Sequence, residues 1–124
     1  MAFKEQKWQE VADTTERIIK LDPVDYTDAY FYNSVANYYL KKFDAAEKSA
    51  REVTKMDGRN PIPMARNVLG AILIEKQDYA GAAEQIREFV KMSKPGPDLD
   101  RAQKQLEQLE KALNPQANAA PQQP

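Results

Sequence analysis

KFDAAEKSAREVTKMDG, residues 42–58, reads as one amphipathic helix, and its register decides the fold because it recurs. Phe43, Ala46, Ala50, Val53 and Met56 step by three, four, three and three residues, which gathers them into one apolar stripe on a helix. Residues 7–23 (KWQEVADTTERIIKLDP) and 78–94 (DYAGAAEQIREFVKMSK) align with it without gaps, at offsets of 35 and 36 residues. Trp8, Phe43 and Tyr79 coincide, as do Val11, Ala46 and Ala82, then Ile18, Val53 and Phe89, then Leu21, Met56 and Met92. Self-similarity at this period marks a chain of stacked units, none of which covers its own apolar face.

Between the copies lie residues 25–42 (DYTDAYFYNSVANYYLKK) and 61–77 (PIPMARNVLGAILIEKQ), each long enough for a helix. Asp22-Pro23 and residues 58–63 supply the breaks before them, because proline lacks an N–H and restricts its predecessor. Ser34 and Gly70 fall twelve residues before Ala46 and Ala82, so each pair offers small side chains where two helix backbones can approach. The unit is therefore expected to be an antiparallel helical hairpin. A last helix is expected over residues 98–113, with Asp98 as its N-cap and Leu99, Ala102, Leu106, Leu109 and Leu113 as its apolar stripe. It should cap the array; a short coiled coil is the competing reading. Residues 114–124 (NPQANAAPQQP) lack core-forming side chains and are expected to be a disordered tail or a linker.

The length of 124 residues suits one domain. Eighteen Lys and Arg nearly balance nineteen Asp and Glu, so no strong field favours nucleic acid. The absence of Cys removes disulfides and thiolate chemistry, and the absence of His removes the commonest general base and metal ligand together. Glycine-rich phosphate loops and acidic metal clusters are missing too, so the expectation is no enzyme, no cofactor and no metal. The longest apolar run, residues 68–74, is far too short to cross a bilayer, and the first residues (MAFKEQKW) lack the apolar stretch of a signal peptide. The compartment is left open between cytoplasm and export as part of a longer chain, with a soluble protein expected in either.

The repeat resembles the tetratricopeptide repeat (TPR), a helix-turn-helix unit of roughly 34 residues. Leu69-Gly70, Tyr79, Ala82, Ile86 and Phe89 occupy that family's signature places in the third copy, with Lys94-Pro95 near its closing proline. The second copy matches at Tyr30, Ser34, Phe43, Ala46 and Val53 but departs at Asn33 and Asn37, where the family has Leu and an aromatic. The first keeps Trp8, Val11, Ile18 and Asp22-Pro23. The resemblance covers residues 3–94 and implies an all-α, right-handed solenoid of antiparallel hairpins with a C-terminal capping helix. Residues 1–113 would form it: a half repeat (1–24), two repeats (25–60 and 61–96) and the cap (98–113). Residues 3–5 align with the last turn of a first helix, so the array is expected to begin inside a hairpin. The apolar side of residues 8–21 would then be partly uncovered, inviting a homodimer or a neighbouring domain.

The resemblance also implies a concave groove that holds an extended peptide or a partner helix. Its lining by positional match would be Asp28, Phe31, Val35, Tyr38 and Tyr39 from one unit and Met64, Asn67, Ala71, Ile74 and Glu75 from the next. These side chains are mostly apolar or acidic, so contact through aromatic and aliphatic groups is expected rather than a clamp on a terminal carboxylate. The aromatics Tyr30, Phe31, Tyr32, Tyr38 and Tyr39 span more than one turn and cannot all face the groove. Asn33 and Asn37, four residues apart on the face expected to be buried, read as a hydrogen-bonded pair that fixes helix packing; the alternative is a polar pocket exposed because the first helix of a hairpin is missing. Lys20, Lys55 and Lys91, which share one repeat position, read as a solvated outer surface. The alternative role to partner binding is self-assembly through the first helix.

Overall fold

The computed structural model describes residues 3–56 and 61–114, and among these the secondary structure is entirely helical. The order is α1 (Phe3–Leu21), α2 (Thr27–Tyr39), α3 (Phe43–Lys55), α4 (Pro63–Glu75), α5 (Tyr79–Met92) and α6 (Pro97–Leu113). Every helix packs on its chain neighbour, most extensively within the pairs α2/α3 and α4/α5, and α2 also touches α4. Residues 114–124 were expected to be a tail; 115–124 lie outside the described residues, as does most of the α3/α4 connection.

The internal period seen in the sequence reappears in the backbone of the two hairpin turns. Lys41 and Gln77, one repeat apart, both adopt left-handed backbone, with φ of 63° and 65°. The N–H groups around them then close the preceding helix in the same way. Lys42 N donates to Asn37 O and Asp78 N to Leu73 O, each at 2.8 Å, while Lys41 N reaches Tyr38 O and Gln77 N reaches Ile74 O. Left-handed backbone is strained for a residue with a Cβ, and glycine removes the strain. Lys41→Gly and Gln77→Gly should therefore each stabilise the fold by about 0.5–1 kcal/mol, seen as a higher urea midpoint at unchanged slope.

The α4/α5 crossing is close because Gly70 has no side chain. A Cβ at Gly70 would stand 2.7 Å from Ile86 Cγ1 and 3.6 Å from Ala82 O. Ser34 and Ala46, the equivalent pair in α2 and α3, are both fully buried. At the start of α5 the Asp78 side chain accepts from Gly81 N at 2.9 Å, a side-chain cap that Lys42 does not provide for α3. Asp98 does not cap α6 as the sequence led one to expect. Gly96 takes the N-cap position and Pro97 opens the helix, which suits a residue without an N–H, and Asp98 pairs instead with Arg101.

The apolar core is lopsided. One cluster runs through Ala46 and Ala50 of α3, Leu69, Ile72 and Leu73 of α4, Ala82, Ile86 and Phe89 of α5, and Ala102 and Leu109 of α6. Helix α1 contributes no member to it. Its joint with α2 holds a polar contact, Asn33 against Ala12 and Thr15, and a stacked aromatic pair, Trp8 on Tyr39. Leu21, whose repeat mates Met56 and Met92 are half-buried, is 87% exposed at the end of α1. On the surface, Lys76 after α4 reaches back to α3, with its Nζ 2.7 Å from Asp44 Oδ1 and 2.6 Å from Glu47 Oε1. The ammonium holds both carboxyls below their usual range, chiefly by direct hydrogen bonding, and they in turn raise the lysine.

Candidate functional site

The residues expected to line a groove are placed by α2 and α4, and the structure sorts them. Phe31, Val35 and Tyr38 on α2 are half-buried, as are Met64, Asn67, Ala71 and Ile74 on α4, while Asp28, Tyr39 and Glu75 are exposed. Tyr38 belongs to both core and surface. Its ring meets Phe43 edge-on at 5.9 Å and Tyr39 at 5.4 Å, and burial raises its phenol, with the charge of Glu75 on α4 adding to the effect. Tyr38 and Glu75 are thus brought within electrostatic reach across the α2/α4 joint. Tyr39 faces elsewhere: it stacks on Trp8 of α1, centroid to centroid at 4.6 Å. The crowded aromatics divide as the turn geometry requires, because Tyr32 is 55% exposed whereas the Tyr30 hydroxyl turns back to donate to Pro23 O at 2.8 Å.

Helix α6 extends this surface, which its sequence as a cap did not announce. Met64 and Asn67 border a groove of about 470 Å³ whose other wall carries Asp98, Arg101, Gln105 and Gln108. These four step by three, four and three residues, so they form one polar stripe of α6 beside its apolar one. That spacing was the available signal. Inside the groove, Asn67 Nδ2 sits 3.6 Å from Met64 Sδ.

The two asparagines of α2 form a buried hub that ties three helices together. Asn33 Nδ2 donates to Thr15 Oγ1 at 3.0 Å and to Ala12 O at 3.4 Å on α1. Asn33 Oδ1 accepts from Ser49 Oγ of α3 at 2.6 Å and from Asn37 Nδ2 at 2.9 Å. Thr15 Oγ1 spends its own proton on Val11 O at 2.7 Å, so it can only accept from Asn33. That fixes the orientation of the Asn33 amide and, through it, of Asn37, whose Nδ2 also donates to Asn33 O at 3.1 Å. The packed-pair expectation fits this geometry: Thr15, Asn33, Asn37 and Ser49 are all buried, and the Asn33 amide is fully satisfied. The pocket alternative fits in part. A cleft of about 550 Å³ opens between α1 and α3 with Asn33 and Asn37 in its lining.

No family model matches the chain, and no curated protein or solved structure is significantly similar to it. Among the described residues no helix is long and apolar enough to cross a membrane, and no group of three or more His, Cys, Asp or Glu is placed to hold a metal ion.

Proposed function

We propose that the chain is a TPR-like interaction scaffold, a right-handed solenoid of antiparallel hairpins capped by α6, that holds an extended peptide or a partner helix on the concave side formed by α2, α4 and α6. What carries the reading is the α4/α6 groove, bordered by Met64 and Asn67, continuous in chain order with the half-buried apolar row of Phe31, Val35 and Tyr38 on α2. The repeated turn geometry at Lys41 and Gln77 supports stacked equivalent units. A face preformed on helices loses little conformational entropy when a ligand docks. Catalysis, nucleic-acid binding and membrane insertion form no part of this reading.

The test is selection of a binding peptide from a random display library, followed by affinity measurement on variants. Met64→Glu places an unpaired charge in the groove and should weaken the selected peptide by about tenfold or more, a loss of roughly 1.4 kcal/mol. Equal affinity for wild type and Met64→Glu would remove the groove from the account.

Self-assembly is the second reading, favoured by the uncovered end of α1, where Leu21 is 87% and Val24 57% exposed. Sedimentation across a hundredfold range of concentration separates the two, since a dimer through residues 8–21 would dissociate on Leu21→Glu and a monomeric scaffold would sediment unchanged.

A further inference from the structure

We infer that the groove between α4 and α6 is occupied by the chain's own residues 115–124, which fold back from the end of α6 and are displaced when a client binds. The inference rests on the reading of that groove as part of the client-binding face, and it adds a competitor that the chain itself carries. Helix directions set the geometry. Met64 and Asn67, in the first two turns of α4, share the groove with Asp98, Arg101 and Gln105 from the first half of α6, so the two helices run parallel. The chain therefore leaves α6 beyond Gln108, at the far end of the groove. At Asn114 the backbone turns out of the helix, with φ of −133° and ψ of 68°, and Pro115 prevents the helix from resuming. From Asn114 back to Asp98 is about 24 Å along α6 at 1.5 Å per residue, whereas residues 115–124 reach about 31 Å in polyproline II conformation at 3.1 Å each. The segment spans the whole groove and has about two residues to spare for the reversal.

The chemistry of the groove matches that segment. Asp98 and Arg101 neutralise each other within one turn of α6, which leaves the amides of Asn67, Gln105 and Gln108, the Met64 thioether and the ammonium of Lys104 in the lining. Gln105 and Gln108 form no hydrogen bond with a described residue, and Asn67 Nδ2 has the thioether at 3.6 Å, a weak acceptor. Residues 115–124 (PQANAAPQQP) carry no charge and consist of three Pro, three Ala, three Gln and one Asn. Each proline brings a carbonyl acceptor without an N–H of its own, so the segment offers surplus acceptors to a wall of amide donors. Tethering makes weak contacts sufficient. A tethered segment meets its site at an effective concentration on the order of millimolar, so a contact with a millimolar Kd keeps the groove about half filled. A client then binds with an apparent affinity lowered by the open fraction, about twofold at half filling.

The chain contains no cysteine, so Ala120→Cys places a single nitroxide spin label on the full chain, and paramagnetic broadening in ¹⁵N spectra reports what that residue approaches. The amides of Asn67, Arg101 and Gln105 are expected to lose most of their intensity. Arg87 is the control, because it pairs with Glu110 on the α5 side of α6 and lies near the root of the segment. A segment held in the groove leaves Arg87 sharp, whereas one that moves freely broadens both sides of α6 alike. Gln105→Ala/Gln108→Ala removes two groove amides outside the core cluster, and should leave the thermal melt unchanged while restoring the Asn67 signal. Equal broadening at Arg87 and Asn67, broadening confined to the last turn of α6, or no recovery in the double variant overturns the inference. So does broadening of a ¹⁵N wild-type chain by added spin-labelled chain without ¹⁵N, since that assigns the contact to a second copy. No client is present in these samples. A failed peptide selection therefore leaves this result standing, and a client that binds an otherwise empty groove removes the inference without touching the client reading.

Discussion

Gly70→Val is expected to lower the free energy of unfolding by about 3 kcal/mol, a large part of the roughly 5–15 kcal/mol that holds a domain of this size together. The Cβ alone would lie 2.7 Å from Ile86 Cγ1, and Ile86 is fully buried and branched at Cβ, so it has little room to turn aside. Gly70→Ala separates two opposing effects. Alanine favours a helix over glycine by about 1 kcal/mol, while overpacking a tight crossing costs about 1–3 kcal/mol, so a net loss of about 1 kcal/mol is expected. Ile86→Ala, itself worth a loss of about 2–5 kcal/mol, removes the obstructing atom. In that background Gly70→Ala should become stabilising. Ile86→Val keeps a branch at the same place and should not produce the reversal. Urea unfolding of the four proteins in this cycle measures the change of sign, and the same sign in both backgrounds would contradict the close crossing of α4 and α5.

Asn33→Leu should cost about 2–3 kcal/mol, because it strands Ser49 Oγ and takes one further bond each from Asn37 Nδ2 and Thr15 Oγ1, which keep Asn33 O and Val11 O. The damage should also be local. The shared apolar cluster runs through α3 to α6, whereas α1 is joined to α2 through the asparagine hub and the Trp8–Tyr39 stack, outside that cluster. Hydrogen exchange should accordingly show α1 amides losing protection while α4 and α5 keep theirs. Replacing the whole hub at once, by Thr15→Val, Asn33→Leu, Asn37→Leu and Ser49→Ala, leaves no stranded partner and should recover most of the loss. Uniform loss of protection through all helices after Asn33→Leu would show that α1 is not a separately held unit.

The helices were legible in the sequence because one apolar spacing is repeated at constant register, and a stripe that steps by three and four has one helical solution. Gly70 was legible as well, since a glycine twelve residues before an alanine has little other use inside a helix. Turn geometry was not. Lys41 and Gln77 carry no mark of a left-handed backbone, because the strain is imposed by the hairpin and not by the side chain. The start of α6 was misjudged by a capping rule that holds for carboxylates in general, where Gly96 and Pro97 competed better for the first turn. Of the candidate site, the α2 and α4 residues were read from position in the repeat, but Tyr39 turns to Trp8 and the polar stripe of α6 joins Met64 and Asn67. Both follow from which neighbours a helix meets, and a single sequence does not contain that. Asn33 and Asn37 stood out as polar residues on a buried face; that Asn33 would tie α2 to two other helices depended on Thr15 and Ser49, which lie on them.

The binding face proposed on α2, α4 and α6 is tested most directly by ¹⁵N NMR mapping of a display-selected peptide on the uniformly labelled chain. The account predicts that shifts concentrate at Phe31, Val35 and Tyr38 on α2, at Met64 and Asn67 on α4, and at Arg101 and Gln105 on α6. Shifts concentrated instead on the outer faces of α3 and α5, around Arg51, Glu84 and Arg87, would contradict it.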